Sequence, residues 1–112
     1  MSLKDARDLV ETNWKAMEFL ATTKKNEATN PFGHTTTDKQ GNVTLHEPVH
    51  YSLVGAIMRI NGDRILLGEE SGSDVKTLTN LIPSQYVYLS TWEGAKGRTK
   101  EDVLALLDKA LS

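Results

Sequence analysis

Residues 48–60, Pro-Val-His-Tyr-Ser-Leu-Val-Gly-Ala-Ile-Met-Arg-Ile, constrain this chain more than any other stretch, because they are apolar on nearly every side. Wound as a helix, they place Val49, Leu53, Ala56, Ile57 and Ile60 on one face and Tyr51, Val54 and Met58 on a second. A helix apolar all round belongs at the centre of a domain. Pro48 then suits the first helical position, where a missing N–H costs nothing, and Asn61-Gly62 suits a left-handed stop. The rival reading makes 56–60 and 63–67 two strands joined at Asn61-Gly62, a strong two-residue hairpin signal. Pattern alone leaves both open. With 112 residues and 38% hydrophobic composition, the chain has material for one core, so a single domain over 1–112 is expected.

Around that segment the periodicities are clearer. Leu3, Ala6, Val10, Trp14, Met17 and Ala21 recur at three- and four-residue steps after Ser2, which predicts an amphipathic helix of about five turns. Thr35-Thr36-Thr37 and Val43-Thr44-Leu45 flank Asp38-Lys39-Gln40-Gly41-Asn42, the pattern of a small hairpin whose Gly41 takes positive φ. Ser71-Gly72-Ser73 reads as a loop, with Ser73 or Asp74 capping a short helix that buries Val75, Leu78 and Ile82. Gly94-Ala95-Lys96-Gly97 reads as a turn. Thr99 then caps a last helix with Asp102 at its third position and Val103, Leu104, Leu107, Ala110 and Leu111 along its stripe. The expected architecture is mainly α, on the margin of α+β: about four helices and one small hairpin, with the first, second and last helices forming the core.

Charge and composition narrow the function classes. Residues 1–56 carry 6 Lys/Arg against 7 Asp/Glu and residues 57–112 carry 7 against 8, so no basic half exists to attract nucleic acid or an anionic membrane. The absence of cysteine removes disulfides and thiolate metal sites. No apolar run approaches a membrane span and the start lacks a signal-peptide core, so a soluble cytoplasmic domain is expected.

The last third resembles a family of small uncharacterised bacterial and phage proteins. The resemblance rests on Trp92-Glu93-Gly94-Ala95-Lys96-Gly97-Arg98-Thr99 followed by Glu101-Asp102-Val103-Leu104-Ala105-Leu106-Leu107-Asp108-Lys109-Ala110. Members of that family end in Trp-Asn-Asp, a short gap, Gly-Arg-Thr, and an acidic-Val helix. Their tryptophan-bearing first helix, Asp-x-x-Gly turn and Trp-Cys-x-x-Gly-Ala helix correspond here to Trp14, to Asp38-Lys39-Gln40-Gly41 and to Tyr51-Ser52-Leu53-Val54-Gly55-Ala56. Glu93-Gly94 stands where the family has Asn-Asp, and Ser52 where it has cysteine. The resemblance implies a helix over 48–61 and makes Gly55 a structural position; it implies no activity.

Two motifs suggest chemistry. His46-Glu47-Pro48-Val49-His50 matches the zinc-protease string H-E-x-x-H, which needs both imidazoles one turn apart on a continuous helix. Pro48 between them opposes that, since an interior proline costs a helix about 3 kcal/mol. A third ligand would have to come from His34, Glu69 or Glu70. Gly94 to Thr99 before a helix suggests an anion site in which Lys96, Arg98 and Thr99 hold a phosphate, although Glu101 and Asp102 would repel it. Arg98 is equally suited to bonding carbonyls that fix the turn, and Trp14 and Trp92 to anchoring the core. The expected function is a non-enzymatic binding protein without cofactor, acting on an unidentified protein partner or on a second copy of itself. The alternatives are a zinc-dependent hydrolase using His46, Glu47 and His50, and phosphate-ligand binding at 94–99.

Overall fold

The structure is a computed structural model and describes residues 3–16, 19–62 and 69–112. Its elements run α1 (Leu3–Asn13), β1 (Ala21–Thr23), β2 (Ala28–Thr29), β3 (His34–Thr37), β4 (Val43–His46), β5 (Pro48–Tyr51), α2 (Leu53–Asn61), α3 (Glu69–Thr79), α4 (Leu89–Glu93) and α5 (Lys100–Leu111). Two antiparallel sheets accompany them, one in the order β2-β1-β5 and one made of β3-β4. The mainly helical expectation is therefore corrected to an α+β fold, with five helices among the described residues. Helical periodicity could not reveal the three-stranded sheet. Its pairs, Ala21 with Tyr51 and Thr22 with His50, join segments far apart in the chain.

The same sheet explains two further corrections. The first helix stops after three turns instead of five. Beyond Asn13 the chain is drawn toward β5: Asn13 Nδ2 donates to the Val49 carbonyl at 3.1 Å, and the Lys15 amide donates to Tyr51 O at 3.3 Å. Ala21 enters β1, while Met17 lies outside the described residues. Pro48 opens a strand, not a helix, because 48–51 pairs with β1 before the helix begins. Ser52 is the true N-cap of α2, its Oγ accepting from the Gly55 amide at 3.0 Å. Residues 56–60 are helical, so the strand reading of that segment fails; 63–67 lie outside the described residues. Gly62, at φ +79°, ends α2 in the left-handed conformation its position predicts.

Residues 71–73, expected as a loop, are helical within α3. Asp74 does not cap its own helix but accepts from Asn61 Nδ2 at 2.9 Å, tying α3 to the end of α2. The predicted hairpin and the final helix form as expected. β3 and β4 pair in continuous register from His34–His46 to Thr37–Val43, around a turn with Gly41 at φ +86°. Thr99 and Asp102 form a reciprocal capping box at the start of α5.

The core gathers Ala6 and Val10 of α1, Leu53, Ala56 and Ile57 of α2, Leu78 of α3, Leu89 and Trp92 of α4, and Val103 and Leu107 of α5. Thus α2 supplies the centre, α1 packs on α2, and α5 packs on α1 and α3, so the first, second and last helices share the core with α3 and α4. Gly55 allows this closeness: a Cβ there would sit 1.8 Å from the Leu20 carbonyl oxygen. The hairpin stands apart from this body. Every residue from Thr35 to Leu45 is exposed, and the molecule measures 51 × 29 × 24 Å. Its radius of gyration, 14.6 Å, exceeds the roughly 13 Å of a compact domain of this length.

Candidate functional site

A cavity of about 560 Å³ opens between α2, α3, α4 and the segment before β1. Its walls include Phe19, Leu20, Val54, Val75, Val87, Tyr88 and Leu89, with Ser52, Thr79, Ser90, Thr91 and Glu93 as the polar contributions. Three rim residues are large, apolar and open to solvent: Phe19 is 51% exposed, Val87 70% and Tyr88 68%. Apolar surface concentrated around a concavity is the usual mark of a binding site.

Glu93 lies in the lining yet is buried. Its Oε2 accepts from Trp14 Nε1 at 2.7 Å and from the Leu53 amide. The carboxylate thus sits at the N-terminus of α2, where exposed amides and the helix dipole favour negative charge. Burial pushes its pKa above the ordinary glutamate value; the Trp14 indole and the Leu53 and Val54 amides oppose that rise. Ser52 serves the same helix end, its Oγ donating to the Leu20 carbonyl while it caps Gly55. These polar groups tie the start of α2 to α4, to Trp14 just beyond α1 and to Leu20 before β1; their bonding capacity is largely committed to the fold.

The zinc-protease string is divided between two sheets. His46 ends β4 opposite His34, whereas His50 lies in β5 opposite Thr22, so the two imidazoles do not share a helix. His46 instead stacks on His34 with ring centroids 5.0 Å apart and shares a hydrogen bond with Thr36 Oγ1 at 2.8 Å. Glu47 is an exposed link between the strands. The side chains of Glu69 and Glu70 lie outside those described. Among the described residues no three His, Cys, Asp or Glu side chains converge as metal ligands.

The turn at 94–99 is also occupied by its own side chains. Thr99 Oγ1 accepts from the Asp102 amide at 3.2 Å, and Asp102 Oδ2 accepts from the Thr99 amide at 3.1 Å. The carboxylate of Asp102 therefore takes a place an incoming phosphate would need. Arg98 Nε donates to the Trp92 carbonyl at 2.9 Å, and its guanidinium lies 4.1 Å from the centre of the Trp92 ring. Lys96 is exposed beside Gly97, whose φ is +84°. Trp92 is buried in the core, and Trp14 is half-buried against Glu93.

The sequence reading passed over Glu93, treating it only as a departure from an Asn-Asp pair. One signal was present: a single acid directly after Trp92, close behind the apolar run Tyr86-Val87-Tyr88-Leu89. Nothing local marked the cavity, whose walls come from segments that meet only in the folded chain.

The chain belongs to a family of unknown function, DUF6197, whose model matches residues 2–112. No curated protein and no solved structure matches it.

Proposed function

We propose that this is a non-enzymatic binding protein whose cavity receives an apolar side chain presented by a protein partner. The observation that carries this reading is the 560 Å³ apolar cavity rimmed by solvent-exposed Phe19, Val87 and Tyr88. Its committed polar groups support the same reading, since Glu93 and Ser52 are engaged in capping α2. The separation of His46 from His50 and the self-capped start of α5 leave the zinc-hydrolase and phosphate readings without a supporting observation. We place the protein in the cytoplasm, as an accessory factor of bacterial or phage origin. Among the described residues no helix is long and apolar enough to cross a membrane.

Selection from a random peptide display library tests the proposal. The immobilised protein is the target, and Thr79→Trp, which fills the cavity from α3, is the comparison after circular dichroism confirms its fold. Enriched peptides should share an aromatic or branched aliphatic anchor and lose binding to Thr79→Trp. Binders without such an anchor, or indifferent to the filled cavity, would overturn the reading.

A further inference from the structure

The β3–β4 hairpin projects from the domain with both faces uncovered, every residue from Thr35 to Leu45 being exposed. An isolated two-stranded hairpin is marginal in water. The root of this one is held by the His34–His46 stack and by a His34 Nδ1 to Thr29 Oγ1 hydrogen bond of 2.9 Å. Proteins normally blunt free strand edges with charges, proline, bulges or very short strands. The three-stranded sheet does so: β5 begins with Pro48, β1 and β5 pair with a register shift, and β2 has two residues. The hairpin has none of these devices. His34–Thr37 and Val43–His46 contain no proline, lysine, arginine or acid, and their register is unbroken.

The direction of the free edge follows from the turn. Asp38 N donates to Asn42 O at 3.0 Å, which makes that pair a hydrogen-bonded one. By antiparallel alternation Thr36–Thr44 and His34–His46 are hydrogen-bonded pairs, whereas Thr37–Val43 and Thr35–Leu45 are not. The N–H and C=O groups of Val43 and Leu45 therefore point away from β3, toward an edge that no described strand pairs with; those of Thr35 and Thr37 point outward on the opposite edge, where only threonine side chains accompany them. The side chains of Val43 and Leu45 share one face and are 65% and 57% exposed.

We infer that two copies of this chain pair through β4, antiparallel about a two-fold axis at Thr44. This register sets Val43 opposite Leu45 of the second copy. Those are the β4 residues whose backbone groups face outward, so each can exchange both hydrogen bonds with its partner. The same register keeps both apolar side chains of each copy on one face of a four-stranded sheet. Any shift by one residue would break the match of faces. The self-complementarity is what selects a second copy over an unrelated strand. So short a contact buries far less than the ~800 Å² per partner of a standard interface, so the association is weak.

Sedimentation velocity over about 10–500 µM, spanning weak affinities, tests this on three full-length proteins. The wild type should shift reversibly from monomer to dimer. Val43→Lys/Leu45→Lys sets lysine against lysine across the axis and should weaken dimerisation at least about tenfold. Val43→Lys/Leu45→Glu sets lysine against glutamate and should recover most of that loss. All substituted positions are exposed, and circular dichroism checks that each variant folds. A wild type monomeric throughout, a dimer insensitive to the double lysine, or no recovery with the lysine–glutamate pair would each overturn the inference.

Discussion

Replacing Glu93 by alanine tests whether a buried carboxylate organises the centre of this fold. The side chain accepts from Trp14 Nε1 and the Leu53 amide, with the Val54 amide also acting on it. Alanine removes the acceptor for all three. A buried donor left without a partner costs about 1–3 kcal/mol. Three donors at the lower end, with half-buried Trp14 reaching some water and the cost of burying a charge relieved, give a loss of about 3 kcal/mol. At roughly 2.1 cal/mol/K of unfolding entropy per residue, that is a fall in Tm of about 13 °C for 112 residues. Urea unfolding followed by tryptophan fluorescence is the direct assay, since Trp14 touches the carboxylate and Trp92 precedes it in α4. Glu93→Gln is the control. Its carbonyl oxygen can replace Oε2 for the indole and the Leu53 amide, so it should cost only about 1 kcal/mol. An alanine variant within about 0.5 kcal/mol of wild type, the range of ordinary surface changes, would refute the reasoning.

Further outcomes follow from the same geometry. Burial raises the Glu93 pKa above its ordinary 4.5, so the native state holds the proton more tightly than the unfolded chain. The stability contributed by this group is complete below the ordinary value and declines as pH rises through the raised one. Urea midpoints from acid to neutral pH should show that decline relative to Glu93→Gln; the opposite slope would mean that the N–H donors outweigh burial. Gly55→Ala drives a Cβ into the Leu20 carbonyl, which no rotamer change relieves, and should cost about 3 kcal/mol in the same unfolding assay. Thr99→Ala opens the capping box and should lower stability by about 1 kcal/mol, measured by thermal melts. Arg98→Ala loses the bond to the Trp92 carbonyl and the stack on its ring; about 1 kcal/mol and an altered tryptophan emission are expected.

Local signals were legible wherever the structure depends on near neighbours. The Thr99–Asp102 box, the Gly41 turn of the hairpin and the Gly62 stop are contacts or dihedral demands within a few residues. The errors lie where a distant segment overrode a local preference. Residues 14–21 continue the apolar spacing of α1, yet backbone bonds to β5 and the entry of Ala21 into β1 end that helix at Asn13. Pro48 is an acceptable first helical residue, yet pairing with β1 makes it the first residue of a strand. Asp74 is an acceptable cap, yet Asn61 claims it. The candidate cavity was invisible for the same reason, because Phe19, Val54, Val75 and Tyr88 meet only after the helices dock.

The amino-acid order alone settled the final capped helix, the hairpin and the absence of disulfides, because these need only composition, spacing and adjacent hydrogen bonds, while its pattern left helix and strand both open for 56–60. Tertiary structure decided where the first helix stops, that 48–51 is a strand, and that Glu93 caps the helix beside it. It also split His46 from His50 and left the hairpin edges unpaired among the described residues. Backbone donors and acceptors must be satisfied somewhere, and which distant segment satisfies them is not written in any local pattern.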